Sequence, residues 1–284
     1  MASGSLAVAK IVIGLMAHST SVVADGFESA SDVVSSAVVL FGLAMAVRPA
    51  DENHPYGHGR VETLTGLGLG LILALTGLGI CLSSMRRLDE IHPPPQWYGI
   101  WPLIASVAIK TFLSAAKFRV GKRIHSEGLV ADAWNDSVDI ISGLTALAGL
   151  GLTLYDPARF LAADHYGGFA VGLLVIFLGL RVVRDTSLQL MDTMPDDDTM
   201  RRIRQVAHTI PGAMAVEKCY ARKTGLKYHV DLHLEVDPNM TVRESHEIAT
   251  QVRFRIIDEL DWVADVLVHV EPYPGPEASH PVLR

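Results

Sequence analysis

Asp25, Glu28 and Asp32 are spaced i, i+3 and i+7 inside an apolar stretch, so a helix there puts all three on one face. Farther along, Asp132, Asn135, Asp136 and Asp139 stand in the same way inside a second apolar stretch. A carboxylate held near the centre of a bilayer costs roughly 2.5–3.5 kcal/mol on insertion scales. Two such stripes are hard to keep unless they face each other around a cation. Near the C-terminus, His269 and Glu271 share one face of an alternating segment, and His233 shares its face with His229. Surface histidines on a strand are usually just solvated, but this cluster also has the chemistry of a metal site.

The two acidic stretches have one design. At an offset of 107 positions, Ala9-Lys10 matches Ala116-Lys117, Gly14 matches Gly121, and His18-Ser19 matches His125-Ser126. Val23-Ala24-Asp25 matches Val130-Ala131-Asp132, Asp32 matches Asp139, and Ser35 matches Ser142. Internal repeats are common in transporters, whose substrate sites lie where the repeats meet.

The elements that must position these acids read as membrane spans. A bilayer core needs about 20 mostly apolar residues per helix. Val22–Val47, Val61–Met85, Trp97–Ala116, Leu129–Tyr155 and Tyr166–Val183 meet that need. A sixth stretch, Ala2–Ala17, is short and reads as a helix lacking its first turn or two. Loops Arg48–His58, Arg86–Gln96, Lys117–Glu127 and Asp156–Asp164 hold the proline and charge clusters. With the N-terminus in the cytoplasm, Arg48, Arg60, Lys117, Arg119, Lys122, Arg123, Arg181 and Arg184 lie inside, and only Arg86, Arg87 and Arg159 outside. The bias predicts both termini in the cytoplasm. Met1–Leu15 has no basic start or cleavage site of the signal-peptide kind.

Hydrophobic residues make up 49% of the 284 and the net charge is −7, with no basic stripe interleaved with aromatics, which speaks against nucleic acid as a partner. Cys81 and Cys219 lie in different regions, form no CxxC and predict no disulfide framework.

Beyond residue 190 the pattern changes to that of a small water-exposed domain, expected over 195–275, with 276–284 as a flexible tail. Thr199–Ile210 has helical spacing. Val216–Thr224 and Leu226–Val236 read as strands around Gly225, the second alternating Tyr228, Val230, Leu232, Leu234 and Val236 with polar residues. Thr241 and Glu244 form a capping box for a helix to Leu260, and Asp265–Glu271 is a third strand. The order αββαβ predicts a small open sheet with helices on one face. A sheet of that size is marginal alone, so dimerisation is expected. The fold class is therefore a six-helix α-helical membrane bundle (1–190) followed by a small α+β, ferredoxin-like domain.

Three segments together carry a resemblance. Val23-Ala-Asp25-Gly-Phe-Glu28-Ser-Ala-Ser-Asp32, the loop Asp51-Glu-Asn-His54-Pro-Tyr-Gly-His58-Gly-Arg60-Val-Glu62, and Ala131-Asp132-Ala-Trp-Asn135-Asp-Ser-Val-Asp139 resemble the cation diffusion facilitator (cation efflux) family. The resemblance covers nearly the whole chain. It implies a homodimeric exporter of zinc, manganese, iron, cobalt or cadmium, exchanged for protons, with six helices and a cytoplasmic αββαβ domain. It puts the transport site on Glu28, Asp32, Asn135 and Asp139, with Asp25 and Asp132 nearby. A loop site falls on Asp51, His54 and His58, and a cytoplasmic site on Glu217, His233, His246, His269 and Glu271. Arg60 and Asp192 fall where the family has a basic residue and an acid linking bundle to soluble domain. Two positions depart from the pattern: Asn135 stands where zinc members have His, and Glu217 where members usually have His.

Carboxylate and amide oxygens suit hard cations such as Mn²⁺, with Fe²⁺ and Co²⁺ open, while imidazole suits Zn²⁺. Carboxylates bind metal deprotonated, so loading releases protons. The expected activity is thus secondary active, proton-coupled export of a divalent cation through lipid, and not enzymatic. The competing readings are a Zn²⁺ or Cd²⁺ exporter, a metal-sensing scaffold that does not transport, and a paired-aspartate intramembrane hydrolase using Asp32 and Asp139. Nothing in the sequence builds a nucleophile or a water-activating centre for the last.

Overall fold

The computed structural model describes residues 2–88, 93–123 and 127–275. The repeat positions His125 and Ser126, the side chain of Asp132 and the tail 276–284 lie outside the described residues. The elements run α1 (Ala2–Met16), α2 (Thr20–Ala46), α3 (Arg60–Leu88), α4 (Ile100–Arg123), α5 (Glu127–Tyr155), α6 (Pro157–Phe160), α7 (Ala163–Leu190), α8 (Asp197–Ala207), β1 (Ala215–Thr224), β2 (Lys227–Val236), α9 (Val242–Glu259) and β3 (Val263–Pro272). A single 3₁₀ turn, Trp97–Gly99, leads into α4.

Five helices, α2, α3, α4 (with its leading turn), α5 and α7, are long and apolar enough to cross a membrane. The expectation of six is met only in number of apolar helices. With 15 residues α1 extends about 22 Å, short of a hydrocarbon core of roughly 30 Å. Two boundaries also differ from the sequence reading. The fourth helix continues past Ala116 to Arg123, so Lys117 sits on a helix and not in a loop. Within Asp156–Asp164 a short helix forms, capped by Asp156, whose side chain accepts from the Arg159 amide.

The chain separates into two compact units. One holds Met1–Val39 with Gly66–Val183; the other holds Leu40–Thr65 with Arg184–Arg284. The 40–65 segment groups with the C-terminal residues.

In the first unit, Val22, Ala24, Ile80, Leu103, Ala146, Leu150 and Val171 form a buried cluster. His18 takes a positive φ of 56° where the chain reverses between α1 and α2. The N-terminus of α2 is capped from α7. Asp164, fully buried, accepts from Ser19 Oγ (2.6 Å), Ser21 Oγ (2.5 Å) and the Thr20 amide (2.5 Å). A carboxylate there also meets the positive end of the helix dipole. Helices α3 and α7 meet backbone to backbone. A Cβ added at Gly77 would lie 2.7 Å from the Gly172 carbonyl oxygen, and one at Gly179 would lie 2.5 Å from the Ala74 nitrogen. Small residues at such crossings are the usual means of helix association in lipid.

In the second unit the three strands lie in the order β1-β2-β3, with β1 antiparallel and β3 parallel to β2. The αββαβ order is the one the alternation predicts. Leu232, Leu234, Ile203, Val252 and Ile256 are completely buried at its core. The Thr241–Glu244 capping box forms at the start of α9. Cys81 and Cys219 are both free and buried, and burial pushes the Cys219 thiol up to about 11.

Candidate metal centre

Within the first unit, Asp32, Asn135, Asp136 and Asp139 line one cavity of about 700 Å³. Asp32 comes from α2 and Asp139 from α5, so the two repeat helices do bring matching acids to one place. They are joined by a cation absent from the sequence reading: Lys110 of α4 lies 2.7 Å from Asp139 Oδ2 and 3.4 Å from Asp32 Oδ2. Glu28, the fourth residue of the expected ligand set, is not among the residues that line this cavity. Glu28 is buried and accepts a hydrogen bond from the Ser142 hydroxyl, leaving its other oxygen without a hydrogen-bond partner. Asn135 is exposed. Asp139 is 8% exposed, whereas the side chain of Asp32 is 41% exposed.

Two further lysines repeat the 107-residue offset in three dimensions. Lys10 lies 2.6 Å from Asp25 and donates to Ser29 Oγ at 2.9 Å. Its counterpart Lys117 lies 2.6 Å from Asp136, the residue matching Ser29. Asp25 is therefore an ion-pair partner of a buried lysine. The repeat pointed to Lys10 and Lys117. For Lys110 the signal was its isolation, as the one charged residue between Ile100 and Ala116. An unpaired ammonium in a span is as costly as a carboxylate, so it calls for acids on neighbouring helices.

In the second unit, Asp51, His54 and His58 converge. His54 Nδ1 is 3.0 Å and His58 Nε2 3.4 Å from the Asp51 carboxylate, and the imidazole centroids are 4.4 Å apart. Donors around a tetrahedral ion at 2.0–2.1 Å are themselves about 3.4 Å apart, so this spacing fits a cation. Asp51 also accepts from the Asn53 and His54 amides, which closes the turn. The hydrogen bond from His54 holds its carboxyl below the usual range. The loop borders a cavity of about 590 Å³ with Tyr56, Arg222 and His229. Burial and the Arg222 charge keep the His229 imidazole below its usual value.

A second trio forms on the sheet. His233 and His269 are register partners on β2 and β3. His233 Nδ1 is 2.6 Å and His269 Nε2 3.5 Å from Glu271 Oε1. Glu217 and His246 are not part of this group among the described residues. Glu217 sits 3.1 Å from Lys218, and His246 is exposed on α9. The β1–β2 ladder is irregular at Glu217, between Val216↔Leu234 and Lys218↔His233, and His246 stands on a helix and not on the strands that carry the trio. Arg60 and Asp192 form an ion pair at 2.9 Å. Both side chains are more than 40% exposed, so it contributes at most about 1 kcal/mol.

Residues 1–191 match the family model described as the cation efflux transmembrane domain, and residues 195–273 match the cation efflux protein cytoplasmic domain. The chain belongs to the cation efflux (cation diffusion facilitator) family. Membership places it among divalent-cation transporters and not among enzymes. It is 32% identical over 283 residues to metal tolerance protein C1 of Arabidopsis thaliana, covering 94% of this chain and 59% of that protein. It is 28% identical to the manganese efflux system protein MneP of Bacillus subtilis, covering 93% and 90%. A solved structure of MamM-CTD 215-293 is 27% identical over 27% of this chain and 98% of that one, with a TM-score of 0.27.

Proposed function

We propose that this cation efflux protein exports a Mn²⁺-, Fe²⁺- or Co²⁺-type cation in exchange for protons, with Glu28, Asp32, Asn135 and Asp139 as the transport ligands. The observation that carries the reading is that Asp32 and Asp139, from matching positions of the repeat, meet at one cation in one cavity. All four donors are oxygens, which favours the harder ions. The likeness to a manganese efflux protein points the same way. Both termini face the cytoplasm on the lysine and arginine bias. Residues 1–190 act as the transport domain, and 195–275 as a metal-binding domain that holds a homodimer together. The C-terminal match is to a domain family named for dimerisation.

The decisive experiment is uptake of Mn²⁺, Fe²⁺, Co²⁺, Zn²⁺ and Cd²⁺ by proteoliposomes carrying an imposed pH gradient. Uptake that follows the gradient supports the reading. No uptake of any ion would leave a metal-sensing scaffold. Preference for Zn²⁺ or Cd²⁺ would replace the hard-ion assignment.

Asn135→His is expected to raise the Zn²⁺-to-Mn²⁺ transport ratio, about tenfold. An imidazole nitrogen is a better donor to Zn²⁺ than an amide oxygen, and position 135 lies one turn before Asp139. Retained transport at an unchanged ratio would show that residue 135 does not touch the ion. Loss of both ions would indicate a blocked cavity.

Saturating Zn²⁺ or Mn²⁺ is expected to stabilise the second unit, since binding to the folded state alone adds about 2.7 kcal/mol at a hundredfold excess over Kd. Changing both His233 and His269 to Ala should remove most of the sheet contribution to that rise. An unchanged metal-dependent melting shift in that variant would dismiss the sheet trio as a site.

A further inference from the structure

Three lysines lie among the acids of the helix bundle, and they are not equivalent. Lys10 and Lys117 occupy matching repeat positions and pair with Asp25 and Asp136. Neither acid is among the proposed ligands. Lys110 has no counterpart: 107 positions earlier stands Ser3. Among the described residues its ion-pair partners are Asp139 and Asp32, the two acids that the transport reading assigns to the ion. Its side chain is 18% exposed and reaches the same cavity.

We infer that Lys110 is a tethered counter-ion of the transport site, lying between Asp32 and Asp139 when no metal is bound and displaced when one enters. The inference rests on the proposed transport reading. The ammonium stays charged and only changes partners. A divalent ion needs the same carboxylate oxygens at about 2.0–2.2 Å. Lys110 Nζ already lies on Oδ2 of both acids, and a divalent ion bound to the same carboxylates repels the ammonium at that distance. Each ion bound must therefore separate Lys110 from Asp139, and that separation opposes binding. When the ion leaves, the ammonium returns, so two carboxylates are not left bare among apolar helices. Lys110 thus sets an affinity low enough for release, a specificity-determining role that a general packing role would not reproduce.

The test compares Mn²⁺ uptake kinetics in proteoliposomes for the wild type, Lys110→Met, Lys110→Arg and Asp139→Ala. Lys110→Met is expected to lower KM about tenfold and to lower kcat as well, because the ion binds more tightly and leaves more slowly. Lys110→Arg, which keeps the charge, is expected to stay near wild type in both constants. Should Lys110→Met not fold, Lys110→Gln carries the same expectation. A KM that is unchanged or raised without the charge, while Asp139→Ala is inactive, overturns the counter-ion role and leaves the transport site standing. A Lys110→Arg protein with the same lowered KM also overturns it. Normal transport by Asp139→Ala removes the site reading and this inference together.

Discussion

Asp139→Ala is expected to bring Mn²⁺ uptake down to the level of empty vesicles while the purified protein remains folded. Asp139 is 8% exposed, lines the bundle cavity and touches Lys110 at 2.7 Å. Its removal takes a charged oxygen donor from the ion, and no neighbouring side chain on α5 replaces it: Asp136 is engaged by Lys117. The fold should survive, because Lys110 keeps Asp32 as a partner and the cavity admits water to the vacated space. Loss of uptake with an unchanged size-exclusion profile is the supporting result. Uptake at the normal rate would dismiss the transport assignment, and a protein that no longer elutes as one species would reassign Asp139 to structure.

Asp164→Ala is expected to have the opposite signature, with loss of fold before loss of chemistry. Asp164 is fully buried and collects two serine hydroxyls and two backbone amides at the start of α2, the Ser21 amide at a long 3.4 Å. Side-chain hydrogen bonds between membrane helices average about 0.6 kcal/mol, with larger values up to about 1.7. The three short ones plus the helix-dipole term come to roughly 2–4 kcal/mol. Truncation also strands the donors it served. A fall in melting temperature of several degrees in detergent is expected, with Asp164→Asn recovering part of it. A melting temperature within a degree of wild type would show that the cap carries no net stability.

The contrast between these two aspartates shows what could be seen in the sequence. Asp139 stands inside an unbroken apolar run at a repeat position, and both facts are visible in one dimension. Asp164 looks like a loop residue after Tyr155, because its partners are 143–145 positions away. The αββαβ order was legible because Tyr228, Val230, Leu232, Leu234 and Val236 alternate, and a strand buried on one face has no other way to sort its side chains. Lys110 escaped for a different reason. Its charge was visible, but helix spacing says nothing about which neighbouring helices supply the acids. Glu28 shows the same limit. Spacing puts Glu28 on the face of Asp32, but only packing shows that its oxygen turns to Ser142. Likewise, no pattern along the chain separates His246 from the trio that the β2–β3 register assembles.

The glycine contacts between α3 and α7 have a mechanical consequence. Side chains that interdigitate can ratchet past one another, but backbones in direct contact at Gly77 and Gly179 leave no groove to slide along. Such close packing is expected to make α3 and α7 move together. On the proposed transport reading, a cycle that opens the cavity first to one side and then to the other is expected to move α2, α4 and α5, whose polar residues line that cavity and are joined across it by ion pairs. A covalent cross-link between α3 and α7 should accordingly leave transport running, while one between α2 and α4 should stop it. Transport halted by the first cross-link would mean that the glycine seam itself opens.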